Sequence, residues 1–326
     1  MTAPENKLPL DEIEADNAQV LAKSRKYTRR SLTVAALSAA AGYAFCRWIF
    51  YSAADGDQPL PRRRAYQANA EISRMVFDDR ALAPTYDVSQ AEEPRTNGVI
   101  GIKQDLVADS WRLQLVGVEN ATQHPRYVHD VTAWEYAYVA DPDAERGSER
   151  KSETDQPVRE RAGKVDRGLE EAGLSRSTLV TQTPGLLLTM ADILKLPRYE
   201  LVTQFKCIEG WSQIIHWGGV RMADFINAYP PAKNPDGSLP RYVYMETPNG
   251  DYYVGYDLNV CRHPQTLLVT EMAGRPLNQR HGAPLRLHAP TKYGYKQIKR
   301  IGVIAYTDIK PDDYWTKLGY DWYAGL

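Results

Sequence analysis

The chain has 326 residues, 43% hydrophobic and 25% charged, with 40 basic side chains against 41 acidic ones and a formal net charge of -1. That length suffices for one large domain or two small ones with an ample core and no disulfide scaffold, and the balanced charge argues against a nucleic-acid binder that relies on a positive field. Its three cysteines, Cys46, Cys207 and Cys261, are too widely spaced for a paired zinc site or a haem attachment. A Cys207–Cys261 disulfide stays open, and so does the plain role of a small buried hydrophobe for each thiol.

Residues 1–28 read as a polar, acidic, disordered lead-in. In "SRKYTRRSLTVAALSAAAGYAFCRWIFYSAADGD" the basic run Arg25, Lys26, Arg29, Arg30 precedes an uncharged stretch from Ser31 to Cys46. "TRRSLTV" resembles a twin-arginine export signal, a route for proteins folded around a cofactor before export, although Ser31 and Leu32 follow the arginines without the usual phenylalanine. Residues 29–54 are therefore expected to be a signal or an anchor. Counted through Ala54, the stretch reaches spanning length with Arg47 able to snorkel. A retained anchor with its N-terminus inside is favoured, because the basic cluster precedes it. Cleavage at "SAAD" (Ser52–Asp55) and an alanine-rich core helix remain the alternatives.

Residues 55–94 read as a connector: "PLPRRR", then an amphipathic helix around Ala65 to Phe77. The globular part is expected from "RTNGVIG" (Arg95–Gly101), and "SWRLQLVGV" alternates polar and apolar residues like a strand. From 141 to 171 charges of both signs crowd together with Gly, Ser and Pro, the pattern of an exposed insertion. "LTMADILKLP" predicts a short helix stopped by Pro197, "YELVTQFKCI" a strand ending at the cysteine, and "GGVRMADFINAY" the next helix. "RYVYMET", "YYVGYDL", "QTLLVTEM", "PLRLHAP" and "RIGVIAYTDI" are β-branched and aromatic runs between turns, so the second half is mostly sheet.

Cys207 ends a strand and enters a polar loop, where a rigid element can present a side chain to a pocket. "FKCIEGWS…WGGV", "YMET", "HPQTLLVTEMAGRPLNQRHGAPLRLHAPTKYGYKQIKRI" and "YWTKLGYDWY", in this order, resemble the molybdopterin-binding domain of the sulfite oxidase family, and within it the branch of the periplasmic methionine sulfoxide reductase catalytic subunits. The resemblance covers 95–326 apart from the charged insertion. It implies an α+β fold, sheet-rich with helices, preceded here by the hydrophobic N-terminal helix.

The resemblance also implies a site. Cys207 would be the thiolate ligand of molybdenum and the catalytic residue, a soft donor beside the dithiolene sulfurs of the molybdenum-molybdopterin cofactor. Arg286 and Lys299 match pterin-contacting cations, Gln297 and Ile298 match positions whose backbone faces the cofactor phosphate, and Thr247 matches a cofactor-contacting threonine. His281 stands where the reductases carry asparagine and sulfite oxidases histidine; Arg95 and Asn97 resemble the early pterin loop. Gly282, Pro284 and Gly294 read as turn formers, Lys292 and Lys296 as solvated charges, His263 as a turn histidine and Cys261 as structural.

The function so implied is oxygen-atom transfer on a small substrate, with S-oxides among the candidates. Electrons would pass to or from a membrane b-type cytochrome or a soluble cytochrome c on the periplasmic side of the inner membrane. A sulfite-oxidising dehydrogenase and a membrane-tethered scaffold subunit are the alternatives. No immunoglobulin-like dimerisation segment follows "GYDWYAGL", so a monomeric catalytic unit is expected. Glu209 and Trp211 directly after Cys207 disfavour dianionic sulfite and suit a neutral or S-oxide substrate.

Overall fold

The computed structural model describes residues 10–52, 54–55, 58–78, 80–139 and 182–326. The expected insertion at 141–171 lies outside them. The chain forms two compact units, Met1–Arg64 and Ala65–Leu326.

In the first unit, α1 (Leu10–Tyr51) is one continuous helix, followed by the antiparallel pair β1 (Ala54–Asp55) and β2 (Gln58–Pro59). The helix runs through most of the segment expected to be a lead-in, because no Gly or Pro interrupts residues 10–41 and helix formers dominate them. Between Ala15 and Tyr51 it is long and apolar enough to cross a membrane. Leu32, Leu37, Phe45 and Trp48 on it are all exposed.

The division between the units falls within α2 (Leu60–Val76). From Ala65 onward α2 buries Ala70 and sends Arg74 to Asp257 (3.1 Å) with its guanidinium over the Trp322 ring. The chain after it, expected as a loose connector, lies along a sheet: the Tyr86 N–H donates to the Val202 carbonyl and the Glu92 N–H to that of Ile214.

Two sheets build the second unit. One has six strands in the order β4 (Tyr127–Val128), β5 (Gly185–Leu188), β3 (Leu113–Val116), β13 (Val303–Thr307), β8 (Tyr242–Glu246), β9 (Tyr253–Asp257). Only the β13–β3 pair in it is parallel. Flanked on both sides, β3 is buried throughout, so its alternation does not expose one face; Gln114 is inside with the leucines. The other sheet runs β11 (Arg275–Pro276), β10 (Leu267–Met272), β7 (Ser212–Arg221), β6 (Arg198–Lys206), with β12 (Arg286–His288) also paired to β10. Short helices α3 (Met190–Ile193), α4 (Met222–Ala228), α5 (Leu258–Cys261) and α6 (Tyr314–Lys317) punctuate the strands. The first is stopped by Pro197 as expected, after a capping box in which Thr189 accepts from the Asp192 N–H.

Leu113, Leu115, Leu186 and Ile304 of the six-stranded sheet share one core with Val220, Leu268 and Leu287 of the other. The opposite face of the second sheet carries a separate cluster of Ile215, Trp217, Leu267, Val269, Met272 and Leu277. That second face holds the site. The thiols of Cys46, Cys207 and Cys261 are all free, and Cys261 is fully buried as a structural residue.

Candidate active site

Strand periodicity decides which side chains reach the cleft. Successive side chains point to opposite faces. In β6 Thr203 and Phe205 therefore share a face with Cys207 just beyond the strand, and in β7 Gln213, Ile215 and Trp217 line up beside Trp211. In β12, Arg286 and His288 take this face and Leu287 the core. On β10 the register shifts between Val269 and Glu271, and this bulge brings Met272 rather than Glu271 to the same side as Val269. The result is a cleft whose walls include Arg95, Asn97, Cys207, Trp217, Arg286 and Lys299.

Cys207 sits at the tip of the β6–β7 hairpin. Its N–H donates to the Trp211 carbonyl and its own carbonyl accepts from Gly210, so the turn is closed by its backbone. Sγ lies 3.6 Å from Glu209 Oε2 and 3.8 Å from Asn97 Nδ2. The same Glu209 oxygen accepts from Asn97 Nδ2 (3.2 Å) and Trp211 Nε1 (3.0 Å). Burial, with the nearby Glu209 charge in support, pushes the Cys207 thiol above its ordinary range. A soft cation that replaces the thiol proton removes that penalty.

The opposite wall is cationic. Arg286 is 3% exposed; Nη1 donates to the His281 carbonyl (3.2 Å) and lies 3.5 Å from Met272 Sδ. Its Nε is buried with no acceptor, and among the described residues no carboxylate pairs with it. Burial lowers its pKa to about 10, the mark of a desolvated guanidinium. Lys299 donates to the Asn97 and Gly98 carbonyls and so clamps the loop from Arg95 onto this wall. Arg95 hangs over the Trp211 ring at 5.0 Å, while its N–H donates to Gln213 Oε1 (2.8 Å).

Six of the expected residues, Cys207, Arg95, Asn97, Arg286, Gln297 and Lys299, thus line one cleft, and three do not. Thr247 is fully buried in the β8–β9 turn, its Oγ1 within 2.8 Å of Asn249 Oδ1 and accepting from the Tyr252 N–H. It supports the Arg95 loop from behind: a Cβ on Gly101 would sit 2.5 Å from Thr247 Cγ2. Ile298 belongs to the core, with its N–H given to Lys296 and its carbonyl to Leu287. His281 meets the cleft only through Arg286, and burial together with Arg286 and Lys299 lowers it to about 4.

Lys292 and Lys296, expected as solvated, are 2% and 1% exposed. Lys296 Nζ bonds Asp313 (2.6 Å) and the Gly255 carbonyl (2.6 Å), and the Lys292 ammonium stands over the Tyr323 ring. Gly294 is more than a turn former, since a Cβ there would meet the Phe205 ring at 2.3 Å. Gly282, at φ +94, closes the 279–281 turn as expected.

A buried triad beneath the cleft escaped the sequence reading. Gln297 Nε2 donates to the carbonyls of Ala289 and Lys292, which leaves Oε1 as the acceptor for His288 Nδ1–H (2.7 Å). His288 Nε2 then accepts from Thr203 Oγ1 (2.7 Å). The imidazole stacks on Trp217 at 4.2 Å and 15°, and burial lowers it to about 3, so it stays neutral. The histidine in "RLHAP", at the end of β12 and on the same face as Arg286, was the available signal.

Among the described residues no group of three or more His, Cys, Asp or Glu could hold a metal ion. A metal at Cys207 therefore needs further donors from a bound organic group. The lone thiol and the uncompensated buried Arg286 fit a metal-bearing, anionic cofactor.

Residues 177–315 match the family described as "Oxidoreductase molybdopterin binding domain". This segment is thus similar to molybdopterin-binding oxidoreductase domains, and molybdopterin is the cofactor that the match implies. The chain is 35% identical over 137 residues to the "Putative protein-methionine-sulfoxide reductase subunit YedZ1" of Azospira oryzae, covering 42% of this chain and 50% of that one. It is 33% identical over 147 residues to the "Protein-methionine-sulfoxide reductase catalytic subunit MsrP" of Xanthomonas campestris, covering 42% and 45%. The chain thus spans about half the length of the curated relatives it matches. The crystal structure of the sulfane dehydrogenase SoxCD from Paracoccus pantotrophus aligns with 39% of this chain and 36% of that one at TM-score 0.35 and 18% identity, too slight a likeness to bear on the architecture.

Proposed function

We propose that the protein is a molybdenum-molybdopterin oxidoreductase that removes an oxygen atom from a small S-oxide or N-oxide. The observation that carries this reading is a single cleft lined by both a half-buried thiol and a buried arginine that has no acid partner. Cys207 would hold the metal. Arg286 and Lys299 would hold the anionic end of the cofactor, and Asn97 with Arg95 would close over it. When bound, the molybdenum supplies two-electron oxygen-atom transfer; the net reaction in the reducing direction takes two electrons and two protons and releases water.

The Glu209 carboxylate 3.6 Å from the thiol supports the choice of substrate. Its charge repels a dianion entering beside Cys207 and leaves a neutral oxide unaffected. Electrons one at a time would come from a separate cytochrome, of the membrane b type or a soluble c type. The helix α1 is long and apolar enough to be retained at the inner membrane, and the basic cluster Arg25, Lys26, Arg29, Arg30 before its apolar part favours the catalytic unit on the periplasmic side. The contacts of Glu209 and Asn97 with the half-buried thiol also speak against an idle scaffold, since a domain without cofactor has no evident use for an acid held beside it.

A stopped-flow comparison of the two half-reactions tests this. Protein of known molybdenum content should reoxidise rapidly with small S-oxides or N-oxides once reduced. Rapid reduction by sulfite with no response to any oxide returns it to the sulfite-oxidising alternative, and metal-free protein from a cofactor-competent host returns it to the scaffold.

A further inference from the structure

Two buried donors in the cleft wall lack acceptors, and they belong to neighbouring side chains: Nε of Arg286 and Nε1 of Trp217. Trp217 is fully buried and lines the cleft, with the Arg286 guanidinium carbon 5.2 Å from its ring centroid. A buried N–H without a partner is rare enough in a folded protein to need a cause. Arg286 alone could owe its state to the long reach of its side chain, but the indole is packed against both His288 and Arg286.

His288 stacks on one face of it and cannot take its proton, because the tautomer set by Gln297 and Thr203 commits both imidazole nitrogens. Arg286 lies against the ring as a cation and offers only donors. Trp217 is therefore held with a buried N–H to which no described residue offers an acceptor.

We propose that Trp217 is a cofactor-binding residue: its Nε1–H and the Nε–H of Arg286 together donate to an anionic oxygen of the bound group, of the phosphate monoester class. His288 acts as a positioning residue, holding the indole at the angle this contact needs. The inference rests on the molybdopterin reading of the same cleft. A neutral donor beside a buried cation suits a phosphate oxygen, which accepts from both and supplies the charge that Arg286 lacks.

The test compares the full chain with Trp217→Phe, which keeps an aromatic ring against His288 and removes the donor together with part of the indole's volume. Both are made in a cofactor-competent host and dialysed, and released pterin and molybdenum are followed with time. The variant should lose cofactor about tenfold faster, the scale of one hydrogen bond to a charged group. In wild-type protein labelled with ¹⁵N in its indoles, the resonance missing from Trp217→Phe should move downfield between cofactor-free and loaded samples. This second readout is taken on wild-type protein, with the variant's spectrum used only to assign the resonance. Equal retention by a folded Trp217→Phe, or an indole resonance unmoved by loading, overturns the proposal. Wild-type protein that carries no pterin overturns the cofactor reading and this inference together, an outcome distinct from wild type and variant loading equally.

Discussion

Cys207 and Arg286 define the site by what each lacks: the thiol is raised by burial, and the guanidinium is buried without a counter-charge. Replacing Cys207 with Ser should leave the fold intact and remove the soft donor; molybdenum content and the Mo(V) electron paramagnetic resonance signal check this, and an unchanged signal refutes the ligand role. Arg286→Ala and Lys299→Ala should each lower pterin occupancy, the second by also freeing the Asn97–Gly98 carbonyls from their clamp. His288 adds a pH dependence. Its folded value of about 3 lies below the ordinary 6.5, so the unfolded chain takes up the proton first as pH falls. Its contribution is complete above 6.5 and is lost progressively from there down to the folded value, amounting to about 2 kcal/mol near pH 5. Urea melts of wild type and His288→Gln across that window should show a shallower slope for the variant.

At the scale of elements, the β6–β7 hairpin presents the thiol, and the turn from Tyr293 to Lys299 presents the cradle. That turn is anchored from below by the buried Lys296–Asp313 pair. Asp313 also caps α6 by accepting from the Trp315 N–H (3.1 Å). Asp313→Ala leaves Lys296 charged and unpaired in the core and should cost about 3–5 kcal/mol in denaturant unfolding. The turn and the hairpin meet where the Phe205 ring rests on Gly294. Gly294→Ala forces that ring aside, with an expected loss of about 1–3 kcal/mol and a lower cofactor content. A normal melting midpoint with full pterin in that variant would show that the contact has slack.

For the molecule as a whole, the open issue is how the N-terminal unit ends up. If α1 is kept as an anchor, protein from membranes resists salt and carbonate extraction, and terminal sequencing finds a start before Arg29. A start near Asp55 instead identifies a removed signal. Replacing Arg29 and Arg30 with Lys should block export under either outcome if the twin-arginine route is used.

Much of this was legible from residue order alone. The strand ending at Cys207, the helix after "GGVR", the sheet-rich second half and the spacing of cations behind "HGAPLRL" are local patterns, set by period-two alternation and turn residues that act over a few positions. The family resemblance, carried by those same motifs, brought Cys207, Arg286 and Lys299 to attention before any geometry. What needed the tertiary structure was partnership. Whether Lys296 is solvated or paired depends on Asp313, seventeen positions away in sequence and in contact only after folding. Thr247 and Ile298 sit in cofactor-like motifs, yet the packing of Gly101 and the core beneath β12 turns them away from the cleft. The neutrality of His288, the locked indole of Trp217 and the bulge that swings Met272 into the wall all arise between strands distant in sequence. Side-chain ionisation and the direction of a donor depend on desolvation and on the acceptors that remain, and these are properties of the assembled interior.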